Sequence, residues 1–422
     1  MNKIMAIKEK YNLILLEDCS HSHGAKYKGK LTGSFGDASA WSLQGQKIIT
    51  GGEGGIMLTN NSDIYYRANL LGHYNKRCKD EIPKENDLYR FAVTGFGLKL
   101  RAHPVAIALA NQQFQNLDNW INQKNIFAEK IKKELSEISF LSFLNTENSY
   151  PSFYGLIMKF DNFNKYNVVR EDFVYALQLE GLIEVDIPNS TAPLDKYEIF
   201  SNPKDSSIRQ SIISKQSKIF DQFKNAYNFF NSVIKIPIWV NSIDENIIDL
   251  YISGFKKVVN EIEKNALDFK LNVNLFREKE NLEKDKIQKV VVVGVISFEN
   301  KILCLKRDSG DFMGGLVELP SGGVDSGEEL ISSLKREVFE ESGIIISKKD
   351  RITFIDTFDY VSGSGKAARQ INFKIELNCG NKPEIKLSPA EHSGFYWLNR
   401  DELVKYNISD ETKNTILKSA NN

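Results

Sequence analysis

The chain has 422 residues with 55 basic and 55 acidic side chains, a formal net charge of zero that gives no global electrostatic case for nucleic acid or an anionic membrane surface. Hydrophobic residues make up 41% and charged residues 26%, the balance of folded protein, and the length allows more than one domain. The N-terminal residues lack the apolar core of a secretory signal, no apolar run is long enough to span a bilayer, and Cys19, Cys78, Cys304 and Cys379 form no C-x-x-C pair, so the expectation is a cytoplasmic protein with reduced thiols.

An opening helical stretch leads into Leu13-Ile14-Leu15-Leu16, an apolar run of the kind that forms a buried parallel strand. Glu17-Asp18 follow at its carboxyl end, where ligand crevices form in open α/β sheets. The stretch from Ala40 to Gly55 places Lys47 ahead of the glycine-rich turn Gly51-Gly52-Glu53-Gly54-Gly55. A lysine beside backbone that can pass close to a bound ring suits Schiff-base chemistry. Read singly, that lysine is an ordinary surface lysine and the aspartate a helix cap. His103-Pro104 opens a helix, with Val105, Leu109, Leu117 and Trp120 expected on one buried stripe. Asn189 to Lys218 reads as a polar surface excursion, and Tyr227, Phe229, Phe230 and Trp239 read as the core of a small domain. Asn246 to Asn265 is helix-like, and Arg277 to Lys289, nearly free of apolar residues, reads as a linker or exposed helical spacer. The expected organisation is a first domain over 1–268, a charged linker over 269–287 and a second domain over 288–422.

In the second domain Val290 to Phe298 and Ile302 to Lys306 read as strands around the polar turn Glu299-Asn300-Lys301. Glu337, Glu340 and Glu341 then stand at i, i+3 and i+4 of a helix and share one face within a turn. Three carboxylates that close repel by roughly a kcal/mol per pair unless a cation sits among them. Mg²⁺ takes oxygen ligands of this kind alongside waters and substrate phosphates. A solvated acidic helix face would explain Glu340-Glu341 but not the register of Gly322, Glu328, Arg336, Val338, Gly343 and Ile344. Ile371 to Leu377 and Gly394 to Leu398 read as later strands, and Arg400 to Tyr406 as a closing helix. His23, His73, His103 and His392 read as structural or surface histidines, since none has a partner at metal-ligand spacing.

The run Gly322, five residues, Glu328, seven residues, then Arg336-Glu337-Val338-Phe339-Glu340-Glu341-Ser342-Gly343-Ile344 resembles the Nudix hydrolase signature without gap or substitution. The resemblance implies Glu337, Glu340 and Glu341 as metal ligands, with Arg336 orienting them. It implies Gly322, Glu328 and Gly343 as structural members of the motif, a tight turn at Ser321-Gly322-Gly323 with glycine at φ > 0, and Glu391 as a further carboxylate from outside the motif. Arg336, Glu340 and Glu341 would be catalytic, with one glutamate of the cluster, or one outside it, as base. The implied reaction is Mg²⁺-dependent hydrolysis of a nucleoside diphosphate linked to another group; a nucleotide sugar, a dNTP and a damaged nucleotide all stay open as substrates.

Two earlier stretches, LLEDCSHSHGAKYKGKLTGSFGDASAWSLQGQKIITGGEGG and GFGLKLRAHPVAIALANQQFQNLD, resemble the DegT-type sugar aminotransferases, enzymes of the aspartate-aminotransferase fold that use pyridoxal 5′-phosphate (PLP). The resemblance runs from about Ile4 to Ala266. It implies Asp18 on the pyridinium nitrogen, His21 against the ring, Ser42 on the phosphate, and Lys47 as Schiff-base lysine and proton shuttle. Two departures accompany it. The chain begins just upstream of the aspartate motif, so the family's first strands and phosphate-cupping loop are expected to be missing or supplied by another polypeptide. Lys99, in Gly97-Leu98-Lys99-Leu100-Arg101, stands where the family carries an asparagine that reaches across its dimer. The fold expectation is α/β: a partial fold-type-I PLP-transferase (large-domain remnant plus small domain) followed by a Nudix α/β/α sandwich. The partner expectations are a homodimer through the first domain or a complementing N-terminal fragment. Beside hydrolysis stand transamination of a nucleotide-linked keto-sugar, if the missing segment is supplied, and a non-catalytic dimerising or ligand-binding role for the first domain.

Overall fold

The computed structural model describes residues 1–144, 147–161, 166–201, 223–310, 314–388 and 391–420. The chain forms two compact units, Met1–Asn260 and Glu261–Asn422.

In the first unit β1 (Leu16–Asp18) lies parallel to β2 (Ala38–Ser42), which runs antiparallel to β3 (Gly55–Thr59). The Glu17 carboxylate accepts the N–H groups of Gly33, Phe35 and Gly36 at 2.7, 2.6 and 2.6 Å, so Glu17 pins a loop and Asp18 is left as the exposed acid at the strand end. The apolar run before it is not buried: Leu13, Ile14 and Leu16 are 50%, 75% and 68% exposed, because β1 pairs with β2 alone among the described residues. Edge strand β3 likewise exposes Ile56, Met57 and Leu58. Helix α1 (Pro104–Phe114) begins at the expected proline, with His103 Nδ1 accepting the Val105 N–H at 3.2 Å. Its Val105 and Leu109 face outward instead of forming a buried stripe, while Leu117 is buried. Helix α2 (Leu117–Leu135) buries Ile121, Lys124, Ala128, Ile131 and Leu135 at helical spacing. A second sheet, β4 (Leu141–Phe143), β5 (Leu156–Phe160) and β6 (Val233–Ile236), forms an antiparallel platform backed by α3 (Glu245–Lys264). Its core includes Phe173, with ring centroids 5.3 Å from Phe160 and 5.9 Å from Phe255. Phe230 is buried there, whereas Phe229 is exposed. Of the expected surface excursion, residues 189–201 form short helical turns and the remainder to Lys218 lies outside the described residues.

The second unit is a seven-stranded sheet with helices on both faces. Its strands are β7 (Lys289–Phe298), β8 (Lys301–Arg307), β9 (Val317–Glu318), β10 (Ser321–Gly323), β11 (Arg351–Val361), β12 (Ala367–Glu376) and β13 (His392–Leu398). The order is β9-β8-β7-β12-β11, with β10 on β7 and β13 on β8. Strand β7 runs parallel to β12 from Lys289↔Ala368 to Ser297↔Glu376, and both faces are covered, so its unbroken valine run reads as a buried strand. Helix α4 (Ala266–Lys284) and α5 (Leu330–Ser342) pack on one face through Leu271, Leu275, Leu334 and Val338. Helix α6 (Asp410–Lys418) packs on the other through Ile416. Glu299 and Asn300 have φ of 45° and 65°, a two-residue hairpin turn of the kind that matches strand twist, and Lys301 already belongs to β8. The expected closing helix at 400–406 is a 3₁₀ turn, Arg400–Lys405, and α6 closes the unit.

The span expected as a charged linker, 269–287, is for the most part α4, which buries Phe269, Val273 and Glu278. Its charges hid the apolar positions 271, 275 and 282, which share one helical face. Arg369 on β12 fastens it, bonding Asp285 at 2.8 Å and Asp359 at 2.6 Å and lying 3.5 Å from the buried Glu278. Cys19, Cys78 and Cys304 are buried and Cys379 is exposed, all as free thiols. Burial pushes the Cys304 thiol up to about 12 and raises those of Cys19 and Cys78. Among the described residues no helix is long and apolar enough to cross a membrane.

Removing one partner of a buried ion pair strands the other, at a cost of about 3–5 kcal/mol. Arg369→Met is therefore expected to destabilise the second unit by that order, seen as faster hydrogen exchange across Ala266–Lys284 than in the parent.

Candidate functional site

Strand β10 and helix α5 build an acidic centre around one cation. Arg336 grips Glu328 with two bonds, Nε to Oε1 at 3.1 Å and Nη2 to Oε2 at 2.8 Å. Its Nη1 donates to Glu337 at 2.7 Å and Glu340 at 3.3 Å, and Nη2 also reaches the Gly323 carbonyl at 2.9 Å. The guanidinium beside Glu328 holds its carboxyl down at about 2. Gly322 is not in a φ > 0 turn: residues 321–323 pair with β7 as a short strand. Its lack of a side chain serves close approach instead, because a Cβ there would sit 1.9 Å from the Glu337 carboxylate. Gly343 does take the left-handed conformation, at φ 71°, and ends α5 as its C-cap.

The helix carboxylates divide. Glu337 and Glu340 lie on Arg336, while Glu341 turns inward to 7% exposure and accepts the Ser321 N–H at 2.8 Å. Burial pushes the Glu341 carboxyl up to about 8, helped by the charges of Glu318, Glu391 and Glu337. Glu341, Glu391 and His392 each place a ligand atom within 4.8 Å of the others'. Among the described residues Glu337, Glu340 and Glu341 do not gather that tightly as a set. His392, expected as structural or surface, is 3% exposed; its Nε2 lies 3.2 Å from Glu318 Oε1, which also takes Arg307 Nε at 2.7 Å. A buried carboxyl with anionic neighbours must keep its proton or gain a cation, so the donor set suits a divalent metal ion.

In the first unit, Asp18 Oδ1 accepts the Ser20 N–H at 3.0 Å and the Ser20 hydroxyl at 2.5 Å. These bonds lower its pKa, with His21 and Lys47 adding to the effect. Lys47 lies in the turn after β2, half-buried, with its ammonium 4.8 Å from the Tyr154 ring centroid. His21 stacks on the same ring at 3.9 Å and 2°. Ser42 Oγ accepts the Gln44 N–H at 3.2 Å. A cavity of about 230 Å³ is lined by His21, His23, Lys47, Lys124, Ser152 and Tyr154, with Asp18 and Ser42 outside its walls. An aspartate kept ionised near a half-buried lysine fits the nitrogen and aldehyde ends of PLP. Lys99 lies over Tyr74, 5.1 Å from the ring centroid.

Sequence reasoning missed Lys124, Tyr154 and Glu318. Lys124 donates to the Phe153 carbonyl at 2.7 Å, and burial lowers its pKa to about 8. A lysine within an otherwise apolar stripe was a usable signal for it; Tyr154 and Glu318 offered none.

Residues 1–251 match the DegT/DnrJ/EryC1/StrS aminotransferase family, and residues 286–418 match the NUDIX domain. A putative L-glutamine:3-amino-2,3-dideoxy-scyllo-inosose aminotransferase of Micromonospora echinospora is 29% identical over 202 residues, 47% of this chain and 46% of that protein. The GDP-perosamine synthase of Escherichia coli O157:H7 is 34% identical over 138 residues, 33% of this chain and 35% of its own. The chain thus spans about half or less of the length of these relatives. An aminotransferase structure from Psychrobacter cryohalolentis superimposes with a TM-score of 0.51 at 21% identity, over 62% of this chain and 66% of that one, a likeness of fold.

A carboxyl raised on folding favours the native state while it holds its proton. The contribution of Glu341 is therefore full below the ordinary value of 4.5 and lost as pH climbs through about 8. In metal-free buffer the thermal midpoint of the second unit should fall across that window, and Glu341→Gln should flatten the fall. An equal pH slope in both proteins would contradict this account.

Proposed function

The chain belongs to the DegT/DnrJ/EryC1/StrS aminotransferase family and carries a NUDIX domain after the family segment, and from that premise we propose that it is a Mg²⁺-dependent hydrolase of a nucleoside diphosphate linked to another group. The observation that carries the reading is the buried Glu341 beside Glu391, with Arg336 holding Glu337 and Glu340 nearby. When bound, a divalent ion supplies charge neutralisation at phosphate oxygens and a more acidic water. Glu341 and Glu391 would hold it, and Glu337 would join them by giving up its bond to Arg336. Glu340, whose side chain is 55% exposed while it accepts from Arg336, would take a proton from water as base. A nucleotide-linked sugar is the favoured substrate, since a relative of the first unit is named for GDP-perosamine. Cleavage of a nucleotide-sugar panel into nucleoside monophosphate and sugar phosphate should require Mg²⁺, and Glu341→Gln should lower it by about 10²-fold or more. Equal turnover after Glu340→Gln and Glu341→Gln would remove the metal assignment.

A second reading, PLP-dependent transamination of a nucleotide-linked keto-sugar, is favoured by His21 and Lys47 meeting on Tyr154 with Asp18 in electrostatic range of both. The exposed apolar residues of β3 and α1 form a surface that another polypeptide segment, or a second copy of the chain in a homodimer, would cover. On this reading the PLP site is completed by that segment. Adding PLP to this polypeptide alone should give no Lys47-dependent absorbance band, and adding a fragment matching the first half of the relatives should produce one. A stoichiometric band from the polypeptide alone, lost in Lys47→Ala, would show that no complement is needed.

A further inference from the structure

We propose that His392 supplies a nitrogen ligand to the cation held by Glu341 and Glu391, a mixed oxygen–nitrogen site that prefers first-row transition divalents such as Mn²⁺ to Mg²⁺. The inference rests on the hydrolase reading and concerns the ligands and ion preference of the same site. The His392 side chain is 1% exposed, and its Nδ1 is buried with no hydrogen-bond partner. Its Nε2 faces Glu318 Oε1 at 3.2 Å. A carboxylate can only accept, so Nε2 carries the hydrogen of that bond, and in the neutral ring that binds metals the lone pair is then on Nδ1. Arg307 Nε, 2.7 Å from the same Glu318 oxygen, fixes that carboxylate in turn. Metal-bound histidines commonly donate their second N–H to a carboxylate in this way.

Among the described residues no group hydrogen-bonds Nδ1. A ring nitrogen of His392 and carboxylate oxygens of Glu341 and Glu391 nevertheless lie within 4.8 Å of one another, each of them a donor atom that a metal ion can take. A shared cation satisfies all three. The backbone is shaped for the arrangement: the β8–β13 register slips between Lys306 and Arg307, so that His392 pairs with Arg307 and Gly394 with Lys306. Such a bulge re-aims a side chain next to a site. Imidazole suits transition ions, whereas Mg²⁺ keeps to oxygen.

The test uses the full chain, with Mn²⁺ alone and Mg²⁺ alone followed by calorimetry, and bound Mn²⁺ followed by pulsed electron paramagnetic resonance. The parent is expected to bind Mn²⁺ about tenfold or more tightly than Mg²⁺ and to show nitrogen hyperfine coupling. His392→Gln should lose the coupling and about 10–100-fold in Mn²⁺ affinity, with Mg²⁺ affinity little changed. Glu318→Gln, which leaves the imidazole in place, should keep the coupling and weaken Mn²⁺ by about tenfold. Mn²⁺ bound to the parent without nitrogen coupling, or bound equally by His392→Gln, overturns the nitrogen ligand and leaves the hydrolase reading standing. Failure of both ions to bind the parent overturns both.

Discussion

One guanidinium organises the acidic centre of the second unit. Arg336 spends its fork on Glu328, Glu337, Glu340 and a strand carbonyl, and thereby ties helix α5 to the loop and strand in front of it. With Glu337 and Glu340 occupied, Glu341 is the carboxylate directed into the sheet, where Ser321, Glu391 and His392 meet it. The division gives chemically different acids on one helical turn. Glu340 is solvated, while the buried Glu341 keeps its proton well above the usual carboxylate range. A helix with three equivalent carboxylates would offer no such contrast.

The glycine ahead of the helix belongs to the same constraint. Gly322 is extended backbone in a strand, and what demands glycine is the Glu337 carboxylate lying against its α-carbon. A signature read as a string of letters does not separate that demand from a left-handed turn, because both select glycine. Gly343, at φ 71°, shows the other kind a few residues on.

Local pattern made the second unit readable. The valine run, the Glu299-Asn300 turn and the i, i+3, i+4 glutamates are short-range signals, and each gave an element of the right type close to its bounds. Long-range features escaped. The charges of α4 masked an apolar face whose purpose appears once the sheet is there to receive it. His392 and Glu318 are 74 residues apart and meet through β8 and its bulge. In the first unit, apolar content suggested burial for Leu13 to Leu16 and for Val105, but burial requires a partner surface, and Leu13, Ile14, Leu16 and Val105 face outward. The lysine, histidine and aspartate picked out there do come into electrostatic range of one another, and the first two share Tyr154, which no spacing rule would have selected.

The four thiols differ in a way that has a practical outcome. Three are shielded from reagents and hold their hydrogens tightly, while Cys379 stands in solvent on the loop after β12. Because alkylating dyes react with accessible thiolates, brief labelling near neutral pH tags that position first. The untreated protein therefore accepts a fluorophore or spin label on its hydrolase-like half, with no engineering of its cysteines.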